Sequence, residues 1–215
     1  DGNTQILVKQ IQELTDVTGL PVQSGVATNS VGGADFVGAA AEVAYRAAGL
    51  WKMPIWFEVH YTDGTMDKKY AWIEQQTEVV KIPNPSGKKI AYILFDPNNE
   101  VMKSVSFEKS WDMLKAQALG AKFMLDRYDA VTAMKDFAVS KKRDLLIEIF
   151  NKETYHPIKT EIISQLANDD DDKTTALLKK ACADKEPLVR RSVLQLVKRI
   201  PADILPDLEK LLTDN

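Results

Sequence analysis

The chain has 215 residues, 45% of them hydrophobic and 27% charged, and its 28 basic and 31 acidic side chains leave a formal net charge of −3. This is the balance of a soluble globular protein with a core of its own. It lacks the concentrated basic excess that marks a nucleic-acid binder, and no apolar run approaches the ~20 residues that a membrane span requires. Cys182 is the only cysteine. An internal disulfide and a multi-cysteine zinc site are therefore excluded, and the residue is expected as a small core side chain.

The first residue is Asp1 rather than Met, so the missing secretory signal says little. We expect a piece of a longer soluble protein whose compartment stays open, with periplasm or secretion among the options. Residues 4–14 suit strand or helix by periodicity alone. Residues 15–34, rich in Gly, Thr, Ser and Val, suit a loop or irregular hairpin, and the Ala-rich stretch 34–48 suits a helix stopped by Gly49.

From residue 54 the pattern alternates. Ile55, Phe57, Val59 and Tyr61 fall on one side of an expected strand, with Trp56, Glu58, His60 and Thr62 on the other. Asp63-Gly64 supplies a hairpin turn, and the chain returns through 69–74, where Tyr70 and Trp72 oppose Ala71 and Ile73. Further strands are expected at 78–82 and at 90–95, the latter apolar on both faces and so expected at a sheet centre. A short one, 101–105, is expected after the Asp96-Pro97-Asn98-Asn99 turn. Strands and turns at this spacing favour an antiparallel sandwich or an open sheet.

Near Phe107 the apolar period becomes helical, and a helix over 111–123 is expected to join the sheet to a helical segment beyond it. That segment repeats itself. Residues 156–166 align with 187–197 at an offset of 31, which sets Ile158, Ile162, Ile163 and Leu166 on Val189, Val193, Leu194 and Val197. One unit earlier, within 128–137, Ala133, Met134 and Phe137 match Ile162, Ile163 and Leu166 at an offset of 29. Second helices are expected over 143–152, 173–183 and 202–213. Stripes such as Leu145, Leu146 and Ile149 need a stacked neighbour to cover them, so the helix pairs suggest an array of HEAT type, with a repeat short for that class.

Candidates for chemistry are few. His60 and His156 are far apart in sequence, and neither sits in an H-E-x-x-H helix, whose imidazoles must lie one turn apart to share a zinc ion. His60 is expected as a solvated strand residue and His156, before Pro157, as a helix-start residue. The run Asp169, Asp170, Asp171, Asp172 lacks the turn glycine and distal Glu of a calcium loop and is expected as a solvated loop near a helix N-terminus. Glycines 25, 32, 33 and 38 lack phosphate-loop spacing. Serines 104, 106, 110, 140, 164 and 192 have no nucleophile-elbow context. Arg190, Arg191, Lys198 and Arg199 form a basic cluster, expected as a solvated helix face rather than a carboxylate site. Trp51, Trp56, Trp72 and Trp111 suit core positions, though an exposed pair would mark a docking surface. No catalytic, cofactor-binding or metal-ligating residue is assigned.

Several segments together resemble the post-catalytic region of M1-family zinc aminopeptidases. Ile6-Leu7-Val8-Lys9-Gln10-Ile11-Gln12 is similar to that region's opening strand with its Gln-x-Gln ending. Trp51-Lys52-Met53-Pro54-Ile55 through Asp63-Gly64 resembles its next strand and turn, and Tyr92-Ile93-Leu94-Phe95-Asp96-Pro97 its closing strand. The stretch Asp126-Arg127-Tyr128-Asp129-Ala130 is similar to the first helix of its C-terminal helical domain. Residues 14–49 depart from the pattern as an insertion.

The resemblance tips residues 4–12 towards strand. It implies an α+β chain: an N-terminal antiparallel β-sandwich-like domain over 1–106, then an all-α HEAT-like helical repeat domain over 107–215. It further implies a non-catalytic region that shapes substrate access. Zinc would lie in a catalytic domain of the same polypeptide, absent from this chain, and that domain and the parent's peptide substrates would be the partners. The alternative is an interaction scaffold of the same architecture without peptidase activity.

Overall fold

A computed structural model of the chain describes residues 2–10, 51–198, 200 and 202–211. The expectations for 11–50, among them the helix over 34–48 and the four glycines, lie outside these residues, as do Arg199 and the end of the last helix. The described residues make an α+β arrangement, with antiparallel sheets of two and three strands followed by seven α-helices.

Strand β1 (Asn3–Lys9) pairs with β4 (Thr77–Pro83), and β2 (Met53–Tyr61) lies between β3 (Met66–Ile73) and β5 (Ile90–Phe95). One apolar cluster joins the sheets: Ile6, Val80 and Ile82 from the pair meet Ile55, Phe57, Val59, Tyr61, Ile73 and Ile93 from the triplet. The β1 start is therefore a strand, as expected, with Thr4 and Ile6 inward and Leu7 outward. Gln10 follows it, buried, and its Nε2 donates to the carbonyls of Trp51 at 2.9 Å and Gln75 at 3.3 Å. One side chain thus ties the end of β1 to the entry of β2 and the exit of β3. The β2–β3 hairpin turns where expected. Gly64 has φ +81°, a region that L side chains avoid, while Asp63 accepts from the amide and hydroxyl of Thr65.

Two strand expectations are corrected. The segment 90–95 is β5, but it lies at an edge of the triplet rather than its centre; the second face is buried by a helix instead of by further strands. Residues 101–105 form no strand. The buried Asp96 carboxylate accepts the amides of Glu100 and Val101, each at 3.1 Å, and pairs with Lys103, whose Nζ also donates to the Val101 carbonyl. The Val101 amide and carbonyl that would open a ladder are spent locally.

The helices are α1 (Trp111–Gly120), α2 (Met124–Ala133), α3 (Val139–Lys152), α4 (His156–Leu166), α5 (Asp172–Cys182), α6 (Pro187–Leu196) and α7 (Leu205–Leu211), the last preceded by a 3₁₀ turn over Ala202–Ile204. Ser110 caps α1 and Asp171 caps α5, each accepting an amide of the first turn, while α4 and α6 carry proline there. The expected helix over 111–123 is shorter, ending at Gly120.

Contacts run α2–α4–α6 on one side and α1–α3–α5–α7 on the other, with sequential helices bridging the two layers. One core cluster extends through them all. Its register recurs every 32 residues at first. Ala130, Val131 and Met134 occupy the places of Ile162, Ile163 and Leu166, and Leu114, Gln117 and Ala118 those of Leu146, Ile149 and Phe150, all buried. The offset of 29 is thus corrected: Ala133, which it placed in the core, is exposed. A base on each of the first helices α2 and α4 does the same job. Arg127 pairs with Glu153 at 2.8 Å, and Lys159, one repeat on, pairs with Asp184 at 2.7 Å. The offset of 31 holds at Val189, Val193 and Val197, but Leu194 is 43% exposed where Ile163 is fully buried. No later first helix covers it among the described residues.

This asymmetry is measurable. Ile163→Ala is expected to cost about 2–4 kcal/mol in urea unfolding, whereas Leu194→Ala, at the repeat-equivalent position, should stay within about 1 kcal/mol. Equal costs would contradict the register.

Candidate ligand cleft at the sheet–helix junction

Helix α1 has two buried sides. Leu114 and Ala118 enter the helical core, while Met113, Ala116 and the following Ala121 meet Tyr92 and Leu94 on the outer face of the three-stranded sheet. That face also holds Glu58 and His60, paired in register with Leu94 and Tyr92. His60 is therefore not the solvated residue expected. Its ring stacks on Tyr92 with centroids 4.3 Å apart, and its Nε2 lies 3.0 Å from the Glu58 carboxylate. Lys68 reaches the same carboxylate at 2.6 Å. Burial works to raise the Glu58 carboxyl, but the bonds from Lys68 and His60 outweigh it and hold it below the usual range.

The other sequence candidates scatter. His156 opens α4 and lines a groove with Tyr128, Glu161, Leu188 and Arg191. Half of the acidic run is a clasp: Asp169 accepts two hydrogen bonds from Arg143, at 2.6 and 2.7 Å, and one from Thr174, and Asp171 pairs with the same guanidinium at 3.0 Å, while Asp170 and Asp172 are exposed as expected. In the basic cluster, Arg190 donates to the carbonyls of Asp184 and Lys185, as Arg127 does to Ala121 and Lys122 two repeats earlier. Ser110 is a cap, and the buried Ser192 donates to the Val189 carbonyl. Cys182 is buried, its thiol pushed up by desolvation. Trp51 and Trp72 are the exposed tryptophans, and Trp111 packs on the helical core. Among the described residues, no group of three His, Cys, Asp or Glu side chains could hold a metal ion, so the zinc implied by the resemblance has no fitting site among them. No helix there is long and apolar enough to cross a membrane.

Another concavity lies away from His60, His156 and the acidic run. Between the irregular segment 99–109 and α2 opens a cleft of about 720 Å³, whose lining includes Phe107, Lys109, Gln117, Asp126, Asp129 and Thr132. Ser104 and Ser106 lie on its wall. At its inner end the repeat is broken chemically. Asp126 stands where Ile158 and Val189 stand in later repeats, and Gln117 where Ile149 and Ala181 stand, yet all are buried. Gln117 is satisfied: its Nε2 donates to the Asp126 carbonyl at 2.6 Å, and its Oε1 accepts from Lys109 at 2.5 Å.

Asp126 is not satisfied. Four acids are buried among the described residues: Glu58, Asp96, Asp126 and Glu153. Three of them bond a cation, namely Lys68, Lys103 and Arg127. The Asp126 Oδ2 has no hydrogen-bond partner, and the Thr132 hydroxyl further along α2 also lacks one. Desolvation, reinforced by Asp129 and Glu58 and opposed by Lys109 and Arg127, lifts the Asp126 carboxyl to about 6. Burial lowers Lys109 to about 8, against the pull of Asp126 and Asp129. A signal for this site existed in the sequence, since a 32-residue register exposes Asp126 and Gln117 as polar intruders in an aliphatic series. The 29-residue alignment hid it.

No protein-family model matches this chain, and no curated protein matches it.

The Asp126 shift has a defined consequence. The folded state holds the proton up to about 6, against the ordinary 3.8. Its contribution to stability is therefore full below the ordinary value and declines as pH rises through the folded one. Asp126→Asn, neutral throughout, should be more stable than the parent by about 1–2 kcal/mol at neutral pH. That advantage should disappear near pH ~4, as read by urea unfolding at the two pH values.

Proposed function

We propose that this chain is the C-terminal, non-catalytic region of an M1-type zinc aminopeptidase, an antiparallel β-sandwich followed by a HEAT-like array. In this reading the sandwich acts as a spacer and the array restricts the approach of peptides to a zinc-bearing catalytic domain in the same polypeptide. The observation that carries it is the order of parts. A strand ends at a buried Gln10, a second turns at Asp63-Gly64, a third closes at Asp96, and two layers of stacked helices come after them. That order is the one the resemblance implies, and each quoted motif, as far as it lies within the described residues, falls at an element boundary or in a buried position. Gln10 and Asp96 give the motifs a physical reason, because each satisfies backbone groups that the sheets leave over.

The groove across α2, α4 and α6, lined by Tyr128, His156, Glu161, Leu188 and Arg191, favours a second reading. Its mixture of aromatic, aliphatic and both charge signs suits a polypeptide partner, and stacked helix pairs present extended binding surfaces. In that case the architecture serves as an interaction scaffold without peptidase activity.

The isolated chain should release no arylamine from aminoacyl-arylamides with zinc present, whereas the full-length parent should do so and lose that activity to a chelator. Zinc-dependent turnover by the chain alone would reject the first reading. An inert parent would favour the scaffold.

A further inference from the structure

The cleft of about 720 Å³ beside α2 holds features that fold stability does not require. Asp126 is 7% exposed, lines the cleft, and leaves Oδ2 without a donor. Thr132 lines the same cleft and its Oγ1 is likewise unpartnered. Buried polar atoms are bonded in the great majority of cases, so two orphans on one cavity wall ask for a polar ligand, and the carboxylate oxygen, which only accepts when ionised, asks for one with donors. Lys109, whose charge acts on Asp126, bonds the Gln117 Oε1 and leaves the Asp126 Oδ2 without a donor. Arg127, the next residue on α2, turns to Glu153.

The sign of the missing group is set by the lining. Glu108, Asp126, Asp129 and Asp136 face Lys103, Lys109 and Lys135, and two of those lysines are engaged, with Asp96 and Gln117. An anion would meet an excess of carboxylates, whereas an ammonium brings three donors and no acceptor. Length is set as well. Asp126 and Thr132 are six residues apart on one helix, which is about 9 Å along its axis, and Asp129 lies between them. A compact monocation could reach one of these places but not all.

We propose that the cleft binds an extended organic polycation carrying primary ammonium groups, seated with one ammonium on Asp126 and its chain running past Asp129 towards Thr132. Its volume lies within the ~300–1,000 Å³ of ordinary small-ligand sites. A linear polyamine and a lysine-rich peptide share this chemistry, and the test separates them. The site does not depend on the aminopeptidase reading, since nothing in it draws on a catalytic domain.

The test is calorimetric titration of the chain with spermidine and, separately, with trilysine, at low salt and near-neutral pH. At least one should bind, and which one does identifies the source. Asp126→Asn should weaken that binding about 10- to 100-fold, the range for losing a hydrogen bond to a charged group. Thr132→Val should weaken it less. Lys109→Met, which removes a competing cation, should tighten it. Asp170→Asn removes the same unit of charge from an exposed loop and should change nothing. Acidification through the Asp126 titration should also weaken binding. The titratable and charged groups that act on Asp126 there are Asp129 and Arg127 on α2, Lys109 from the preceding segment, Glu58 from β2 and Tyr92 from β5. In Asp126→Asn the pH response should flatten. Thermal melts of each variant separate loss of binding from loss of fold, and should Asp126→Asn fail to fold, Thr132→Val and Lys109→Met decide. No heat with either probe up to about 1 mM overturns the proposal. So does binding that Asp126→Asn and Asp170→Asn weaken equally, or that Thr132→Val and Lys109→Met leave unchanged.

Discussion

A helix pair buries one side against itself and leaves another that only a neighbour can cover, and this constraint organises the molecule. Within the array each pair is covered by the next. At the first pair the neighbour is a sheet. Tyr92 and Leu94 on β5 take the place that a preceding helix would fill, and α1 is apolar on both sides because it answers to both. Without that contact the outer face of the three-stranded sheet would leave Leu94, Tyr92 and the buried Glu58 uncovered, and the first helices would have a bare end. Among the described residues, the sheet and the helices meet chiefly through this helix.

The substitution of sheet for helix also explains why polarity enters the core there and not later. A sheet edge followed by the irregular 99–109 segment cannot match the side of α2 as closely as α4 matches α6. The gap is the cleft, and Gln117 and Asp126 line it, where Ile149 and Ile158 are closed in deeper in the array. The repeated base on α2 and α4 keeps its role through this change. Arg127 and Lys159 both reach forward to an acid just before the next first helix, so the stacking geometry is set by charge pairs as well as by aliphatic contact.

What the sequence made legible was the part written in long-range periodicity. Ile158, Ile162, Ile163 and Leu166 at helical spacing, the alternation from Ile55 to Tyr61 and the Asp63-Gly64 turn all stand where the pattern put them. The misplacement of β5 has a plain cause: burial on both faces reads the same under a helix as between strands. The missing strand at 101–105 failed for a local reason, since one buried aspartate can capture the amides that a ladder would use. Nothing in the residues 90–105 taken alone distinguishes those outcomes. The cleft was hidden for a third reason. Its key residues are neither a motif nor a cluster in sequence, and their oddity appears only against the correct repeat, where a carboxylate interrupts a series of aliphatics.

That interruption is also an argument about purpose. Burying a carboxylate beside a helix core costs free energy unless a cation meets it, and this chain meets that requirement at Glu58, Asp96 and Glu153 with cations of its own. An aliphatic residue at 126 would be the simpler solution, one the same fold adopts at 158 and 189. Lys109 stands close enough to influence the Asp126 carboxyl, yet it bonds Gln117 instead. Among the described residues the fold pairs its other buried acids and leaves the Asp126 Oδ2 without a donor, on the wall of a cleft of about 720 Å³, which is an acceptor of the kind the proposed ligand needs. Departures from local consistency of this kind concentrate at functional sites, and here the departure comes with a cavity, a second orphan hydroxyl and a defined charge.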